Sequence, residues 1–241
     1  MMKQKLSVII AAYNEESRIG QVLKIVENHP LIDEVLVIND GSSDQTAEVV
    51  KQYKVTLIEN QINLGKTLSV KKGVDRARNE VLLLLDADLH GLTAANIYTL
   101  ANPVLDQQVD WTLSLRGNSF GFMKWLGLDW VSGERTIKKE LLKDPEIWSK
   151  PKIGFGLETL MNKSLLERGA TFLSIYLPNL KIVNKAGKVG FVRGWYLELK
   201  MIRQISKVLP LYKVIGQFFT MVRLNKKYKS DIKFQPIKNE A

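Results

Sequence analysis

VLLLLDADLH, residues 81–90, is the stretch from which the fold can be read. Val81–Leu85 is a short, bounded run of large apolar residues, and it predicts a strand buried on both faces, as in a parallel sheet. Two carboxylates, Asp86 and Asp88, follow where that strand should end, with only Ala87 between them. In an open α/β sheet ligands bind beyond the carboxyl ends of the strands, so two acids there suit a hard divalent cation held against a phosphate-bearing ligand. A lone D-x-D is more often a turn; its place after a buried strand is what favours a site.

Upstream the same unit repeats. Leu6–Ala11 reads as a buried strand, Tyr13-Asn14-Glu15-Glu16 as a loop, and Ile19, Val22, Leu23 and Val26 as the apolar stripe of a helix. Val35–Ile38 is a second strand and ends in Asn39-Asp40-Gly41-Ser42-Ser43-Asp44. Gly41 permits a sharp turn there, and Ser43 or Asp44 can cap the helix carrying Ala47 and Val50. Val55–Ile58 is a third strand, and Asn63-Leu64-Gly65-Lys66 opens a helix that runs to about Arg78 and leads into Val81. Strands alternating with helices on short connections imply a mostly parallel sheet with helices on both faces. Tyr13 and Glu15, then Asp40, then Asp86 and Asp88 would share one rim, with a polarity suited to a nucleotide. NDGSSD alone reads more readily as an Asx-turn and a helix cap made by Asp40 and Asp44, and it is the several such loops on one rim that favour a site. Neither a dinucleotide glycine fingerprint nor a Walker lysine loop is present.

Composition sets outer limits. The chain has 241 residues, 45% hydrophobic and 25% charged, which describes a globular domain rather than a disordered one. It has no cysteine, which excludes disulfides and cysteine-ligated zinc and is compatible with a reducing compartment. The apolar run near the amino terminus is too short for a secretory signal, and no run approaches the roughly 18 to 20 apolar residues of a membrane span. The net charge of +10 is uneven: residues 181–241 hold fourteen Lys and Arg against three Asp and Glu, a net +11, which leaves −1 for residues 1–180.

AAYNEE, VLVINDGSSDQT, NLGKTLSVKKGVDRAR and LLLLDADLH, in this order, resemble the nucleotide-sugar-binding half of glycosyltransferase family 2, with its GT-A fold. The resemblance implies that Asp40 binds the nucleoside base. It also implies that the segment from Ala11 through Tyr13 to Glu15 lines the nucleoside pocket, with Lys66, Asp86 and Ala87 also on the donor. Asp86 and Asp88 would carry Mg2+ or Mn2+ on the diphosphate of a UDP- or GDP-linked sugar, the metal being the main catalyst and depending on the catalytic Asp88, with Asp86 contacting the metal or the ribose. Asn39 stands where many members have an acid, and Thr67 where glycine is frequent, which leaves the role of Lys66 open.

After His90 the match is looser. Ala94–Leu100 predicts a helix before Pro103, and Trp111–Leu115 a strand with Arg116 at its end. SLRGN and SGERTIKKELL resemble the acceptor region of the polyprenyl-phosphate sugar transferases. That likeness implies a lipid phosphate acceptor held by Arg116, Arg135 and Lys138, since guanidinium groups bind phosphate oxygens bidentately. Phe120, Phe122, Trp125, Leu126 and Trp130 beside these cations are either ordinary core or a site for an amphiphile. Gly154-Phe155-Gly156-Leu157-Glu158 opens a helix and resembles a motif in which many inverting members place an acidic base, which makes Glu158 the candidate. Its alternative is an exposed acid in a first helical turn, favoured by the dipole.

Residues 1–180 are thus expected to form the GT-A catalytic domain, with a donor half to about residue 90 and an acceptor half from 91. Residues 181–241 form a basic amphipathic tail of two helices. The first carries Val192, Trp195, Tyr196, Leu199, Ile202 and Ile205. The second, after Pro210, carries Leu211, Val214, Ile215, Phe218, Phe219 and Val222, with a basic end at Arg223, Lys226, Lys227 and Lys229. These helices either pack on their own domain or lie in a membrane interface. The expected activity is metal-dependent sugar transfer to a polyprenyl phosphate by an enzyme peripheral to the cytoplasmic face of a membrane. The alternative is a soluble glycosyltransferase or nucleotidyltransferase acting on a small phosphorylated acceptor. A nucleic-acid partner is not expected, because it would leave Asp40, Asp86 and Asp88 without a role.

Overall fold

The computed structural model describes residues 5–151, 153, 155–182 and 203–232. Strands β1 (Leu6–Ala12), β2 (Ile32–Asn39), β3 (Thr56–Glu59) and β4 (Val81–Asp86) alternate with helices α1 (Ile19–Val26), α2 (Thr46–Val50) and α3 (Lys66–Arg76). All four strands are parallel neighbours in the order β3-β2-β1-β4, as the hydrophobic runs predict. Leu6, Ile10, Val37, Leu82 and Leu83 are fully buried, so the central strands carry apolar residues on both faces because both faces are covered. Gly73 lets α3 lie close on the sheet: a Cβ there would stand 2.5 Å from the Ile9 side chain and 2.9 Å from that of Ile38.

The second half departs from simple alternation. After β5 (Leu89–His90), helix α4 (Ala94–Leu105) and β6 (Trp111–Arg116) come α5 (Gly121–Leu126), β7 (Arg135–Lys138), α6 (Gly156–Glu167), β8 (Phe172–Leu177) and β9 (Lys181–Ile182). The seven-stranded order is β3-β2-β1-β4-β7-β6-β8, in which β7 runs antiparallel to both β4 and β6 while β6 and β8 are parallel. The carboxyl ends of β4 and β6 therefore lie on one rim. Helix α4 continues through Pro103 instead of ending before it, because Pro103, Val104 and Leu105 are all buried and their packing outweighs one lost hydrogen bond near the helix end.

The long helix α7 (Leu211–Ile232) buries Val214, Gln217, Met221, Val222 and Asn225 against the domain, while Leu211, Ile215 and Phe219 of the expected stripe stay exposed. Asn225 clamps it, accepting from the Ser174 backbone N–H at 2.8 Å and donating to the Gly127 carbonyl at 3.0 Å. The first tail helix, expected over Val192–Ile205, lies almost wholly outside the described residues.

At the far end of the sheet Asp110 ties three strands together. Its carboxylate accepts from Lys138 Nζ at 2.6 Å and from the backbone N–H and hydroxyl of Thr171 at 2.8 and 2.9 Å. Although partial burial opposes it, hydrogen bonding to Lys138 and Thr171 holds this carboxyl below its ordinary value. A group with a depressed folded pKa stabilises the fold above its unfolded value and loses that contribution as pH falls through the folded one. Asp110→Asn should therefore cost about 1 to 2 kcal/mol at pH 7 in a denaturation experiment, with the gap to wild type closing below about pH 4.

Candidate active site

The β1, β2 and β4 ends meet at one rim. Strand β4 ends on Asp86, and Ala87 and Asp88 form the turn that follows. In register beside Asp86 is Ala11 of β1, and next to that Ile38 of β2, so Asp40 emerges just beyond its own strand end. A cavity of about 410 Å³ opens there, lined by Ala11, Ala12, Tyr13, Glu15, Asp40, Asn63, Gly65, Lys66, Asp86, Ala87, Asp88 and Ile182. Every residue the sequence assigns to the donor, and both carboxylates it assigns to a metal, line this single cavity.

Asp86 has its carboxylate between two neighbours. Lys66 Nζ lies 2.6 Å from Asp86 Oδ1 and 2.9 Å from Glu158 Oε1, so one ammonium bridges the end of β4 and the first turn of α6. On the other side a Cβ at Gly133 would stand 2.6 Å from Asp86 Oδ2, so only glycine lets the loop before β7 approach. Burial opposes ionisation of Asp86, yet the Lys66 charge keeps its carboxyl below the ordinary range, and burial of Lys66 is likewise overcome by Asp86 and Glu158. Asp88 makes no ion pair among the described residues. Burial first, then the charges of Asp86 and Glu15, push its carboxyl up to about 6.

That crowding of carboxylates fits a divalent cation, whose charge would relieve it. Oxygen donors suit Mg2+ or Mn2+, and no cluster of three acids or histidines forms a complete cage among the described residues. A metal on Asp86 and Asp88 would thus take its remaining ligands from phosphate and water.

Asp40 does more than turn the chain. Its carboxylate accepts from Asn60 Nδ2 at 2.8 Å and from the backbone N–H groups of Leu64 and Gly65 at 2.9 and 2.8 Å, which fixes the loop that carries Lys66. Asn39 helps turn the chain instead, its side-chain oxygen accepting from the Ser42 N–H at 3.2 Å, and the Asx-turn is at Asp44, whose carboxylate accepts from the Thr46 N–H at 3.0 Å where α2 begins. Glu158 is buried and ion-paired to Lys66, not the exposed first-turn acid of the alternative reading. It also lines a second cavity of about 530 Å³, which shares Asn63, Gly65 and Lys66 with the first.

The expected acceptor cations part company. Arg116, at the end of β6, reaches this rim but pairs with Asp129 at 3.0 Å and Glu134 at 3.5 Å. Arg135 is 1% exposed, and its guanidinium donates to the carbonyls of Ser132 and Trp130 and to Asn162 Oδ1, an internal brace rather than a surface hand. Burial lowers its pKa to about 10, so it keeps its charge at neutral pH. Lys138 sits opposite Val81, at the other end of β4, and pairs with Asp110. Sequence reasoning missed Asp129, Gly133 and Glu134: SGER was visible, but nothing in its spacing says that it folds back against Asp86.

A model of glycosyl transferase family 2 matches residues 7–165. The chain belongs to that family. Among its relatives, a dolichyl-phosphate beta-glucosyltransferase of Trichomonas vaginalis is 27% identical over 170 residues, covering 65% of this chain and 47% of the relative. A 4,4'-diaponeurosporenoate glycosyltransferase of Staphylococcus aureus is 34% identical over 104 residues, 41% of this chain and 28% of the relative. The chain spans less than half the length of these two family 2 relatives. Glucosyl-3-phosphoglycerate synthase from Mycobacterium tuberculosis, crystallised with Mn2+, UDP-glucose and phosphoglyceric acid, shares the fold. Its TM-score is 0.68 at 19% identity, over 85% of this chain and 79% of that one. The GT-A architecture expected from the sequence is the one observed. No described helix is long and apolar enough to cross a membrane.

Since Gly133 is needed for the packing around Asp86, Gly133→Ala should lower stability by about 1 to 3 kcal/mol, read as a fall in the melting temperature. An unchanged melting temperature would mean that Asp86 can move aside freely.

Proposed function

We propose that this family 2 protein transfers a sugar from a UDP- or GDP-linked donor to a polyprenyl phosphate at the cytoplasmic surface of a membrane, with Mg2+ or Mn2+ on the donor diphosphate. The observation that carries the reading is the single cavity in which Tyr13, Glu15, Asp40, Lys66, Asp86 and Asp88 converge. The dolichyl-phosphate relatives support a lipid phosphate as the acceptor.

Asp86 and Asp88 would hold the metal, which when bound stabilises as a Lewis acid the charge that develops on the leaving diphosphate. Lys66 borders both cavities, where its ammonium can turn from Asp86 toward a phosphate oxygen. Asp40 orders the wall of the nucleoside side and has acceptor capacity left for a base. An acceptor phosphate is already ionised, so no proton has to be taken from it, and Glu158 then serves to position Lys66. Arg116 would meet the acceptor by exchanging part of its pairing with Asp129 and Glu134. A small soluble phosphorylated acceptor is the second reading, favoured by the fold shared with a structure that holds phosphoglyceric acid.

Thermal shift with a panel of nucleotide sugars and manganese would identify the donor, because a ligand at a hundred times its dissociation constant adds about 2.7 kcal/mol. With that donor, Asp88→Asn should lower transfer about 100- to 1000-fold and weaken Mn2+ binding in calorimetry. Full turnover with unchanged metal dependence would remove Asp88 from the site. Asp40→Ala should weaken binding of the free nucleoside diphosphate even without acceptor, and equal affinity by titration would leave Asp40 a loop-ordering residue only. Transfer to phosphoglycerate but not to polyprenyl phosphate would select the second reading.

A further inference from the structure

The exposed apolar side chains of the second half are not scattered. Phe120 leads into α5, which carries Phe122 and Trp125, and Trp125 is 84% exposed. Across from them α7 presents Leu211, Ile215 and Phe219 at helical spacing, with Tyr212 beside them; Tyr212 is 71% and Phe219 60% exposed. Ring contacts join the two helices: Phe120 to Phe122 at 6.2 Å, Phe122 to Phe218 at 6.3 Å, and Phe218 to Phe219 at 5.5 Å. The side of α7 that holds it to the domain is a different one, through Val214, Gln217, Met221 and Asn225. The helix thus shows apolar residues to the outside as well as to the core.

Two further observations say what faces this surface. The first is charge. One and two turns beyond Phe219, on its own side of the helix, stand exposed Arg223 and Lys226, and Lys124 is exposed on α5. Neither α5 nor α7 as far as Lys229 contains an acid. Aromatic residues rimmed by cations match an anionic headgroup layer over acyl chains, where Trp and Tyr also settle. The second is position. Helix α5 follows the end of β6, on the rim of Asp86, and Gln217 donates to the carbonyl of Thr159, the residue after Glu158, at 3.2 Å. The surface therefore adjoins the site.

We propose that the aromatic surface of α5 and the first half of α7 inserts into an anionic lipid bilayer and presents the active-site rim to it. This deepens the lipid-acceptor reading and rests on it for its purpose. It differs from the expected tail contact in that the apolar work falls to Trp125, Phe122 and Phe219, with α5 taking part, while the lysines of the α7 end supply attraction only. The position of this face would let a lipid-borne phosphate reach the cavities without its chain leaving the membrane.

The test is vesicle flotation of the full chain with phosphatidylcholine alone and with phosphatidylglycerol added, at low and high salt. Wild type should float with the anionic vesicles. Trp125→Ser with Phe219→Ser, both at exposed positions, should lose at least about tenfold in partitioning at either salt, since the insertion term is gone. Arg223→Gln with Lys226→Gln should lose binding chiefly at low salt, where unscreened attraction contributes most. Both variants should keep the wild-type melting temperature and donor-induced thermal shift. Wild type that stays unbound on anionic vesicles at low salt, or an aromatic variant that floats equally well, overturns the proposal. A wild-type dimer that the aromatic variant dissociates, with no vesicle binding, also overturns it, and assigns the surface to a second copy. Vesicle binding without any nucleotide-sugar shift would leave the surface standing and remove the transferase reading instead.

Discussion

A carboxylate placed at the end of a fully buried strand has to find compensation, and much of this rim is arranged around how Asp86 finds it. Lys66 supplies the charge and arrives on the first turn of α3; Glu158 shares the same ammonium and arrives on α6. Gly133 supplies the space. Lys66 stays where it is because the preceding loop is hydrogen-bonded to Asp40. A single ion-paired centre thus draws together β4, α3, α6 and the loop before β7, elements widely separated in the chain. Asp88 stands beside this centre with no ion pair of its own among the described residues. That asymmetry between two acids one residue apart is what the proposed metal and diphosphate would relieve.

A second polar network lies behind the first. Glu134 accepts from the hydroxyls of Ser114 and Ser132 at 2.6 and 2.7 Å, Asp129 accepts from Ser119 at 2.5 Å, and Arg116 reaches both acids. Buried charges of this kind are costly unless they are paired; here the two acids share Arg116, and Asp129 Oδ1 has no hydrogen-bond partner among the described residues. The network binds the loop between α5 and β7 to the end of β6, and Arg135 braces the same loop from the other side. The second half of the chain therefore holds its shape through internal ion pairs, where the first relies on parallel strands and apolar helices. This also explains why arginines that look like phosphate hands in the sequence are largely engaged inside the protein.

The first half of the fold was legible because its determinants are local. Buried parallel strands are short apolar runs, helices over them show apolar residues at regular spacing, and polar residues at strand ends share a rim by topology alone. Leu6–Ala12, Ile32–Asn39 and Val81–Asp86 extend the predicted strands by a residue or a few, and the seven predicted donor residues meet in one cavity. In the second half β7 is short and its alternation is interrupted by charge, and β8 has no motif beside it, so neither announced itself. Pro103 misled for the complementary reason: a local rule predicted a break, and burial of the residues around it prevailed.

The amino-acid sequence by itself determined the parallel framework, the rim on which the candidate site lies, the identity of its carboxylates and the cationic character of the carboxyl-terminal third. Each of these follows from residue type and short-range spacing. Only the tertiary structure decided which charges face one another: that Lys66 holds Asp86 and Glu158 together, that Arg135 is enclosed while Arg116 reaches the rim, and that Lys138 belongs to the opposite end of the sheet. It also decided which side of α7 is covered and which is bare. These outcomes depend on contacts between residues far apart in the chain, where desolvation makes every charge take the nearest available partner, and no local pattern encodes which partner that is.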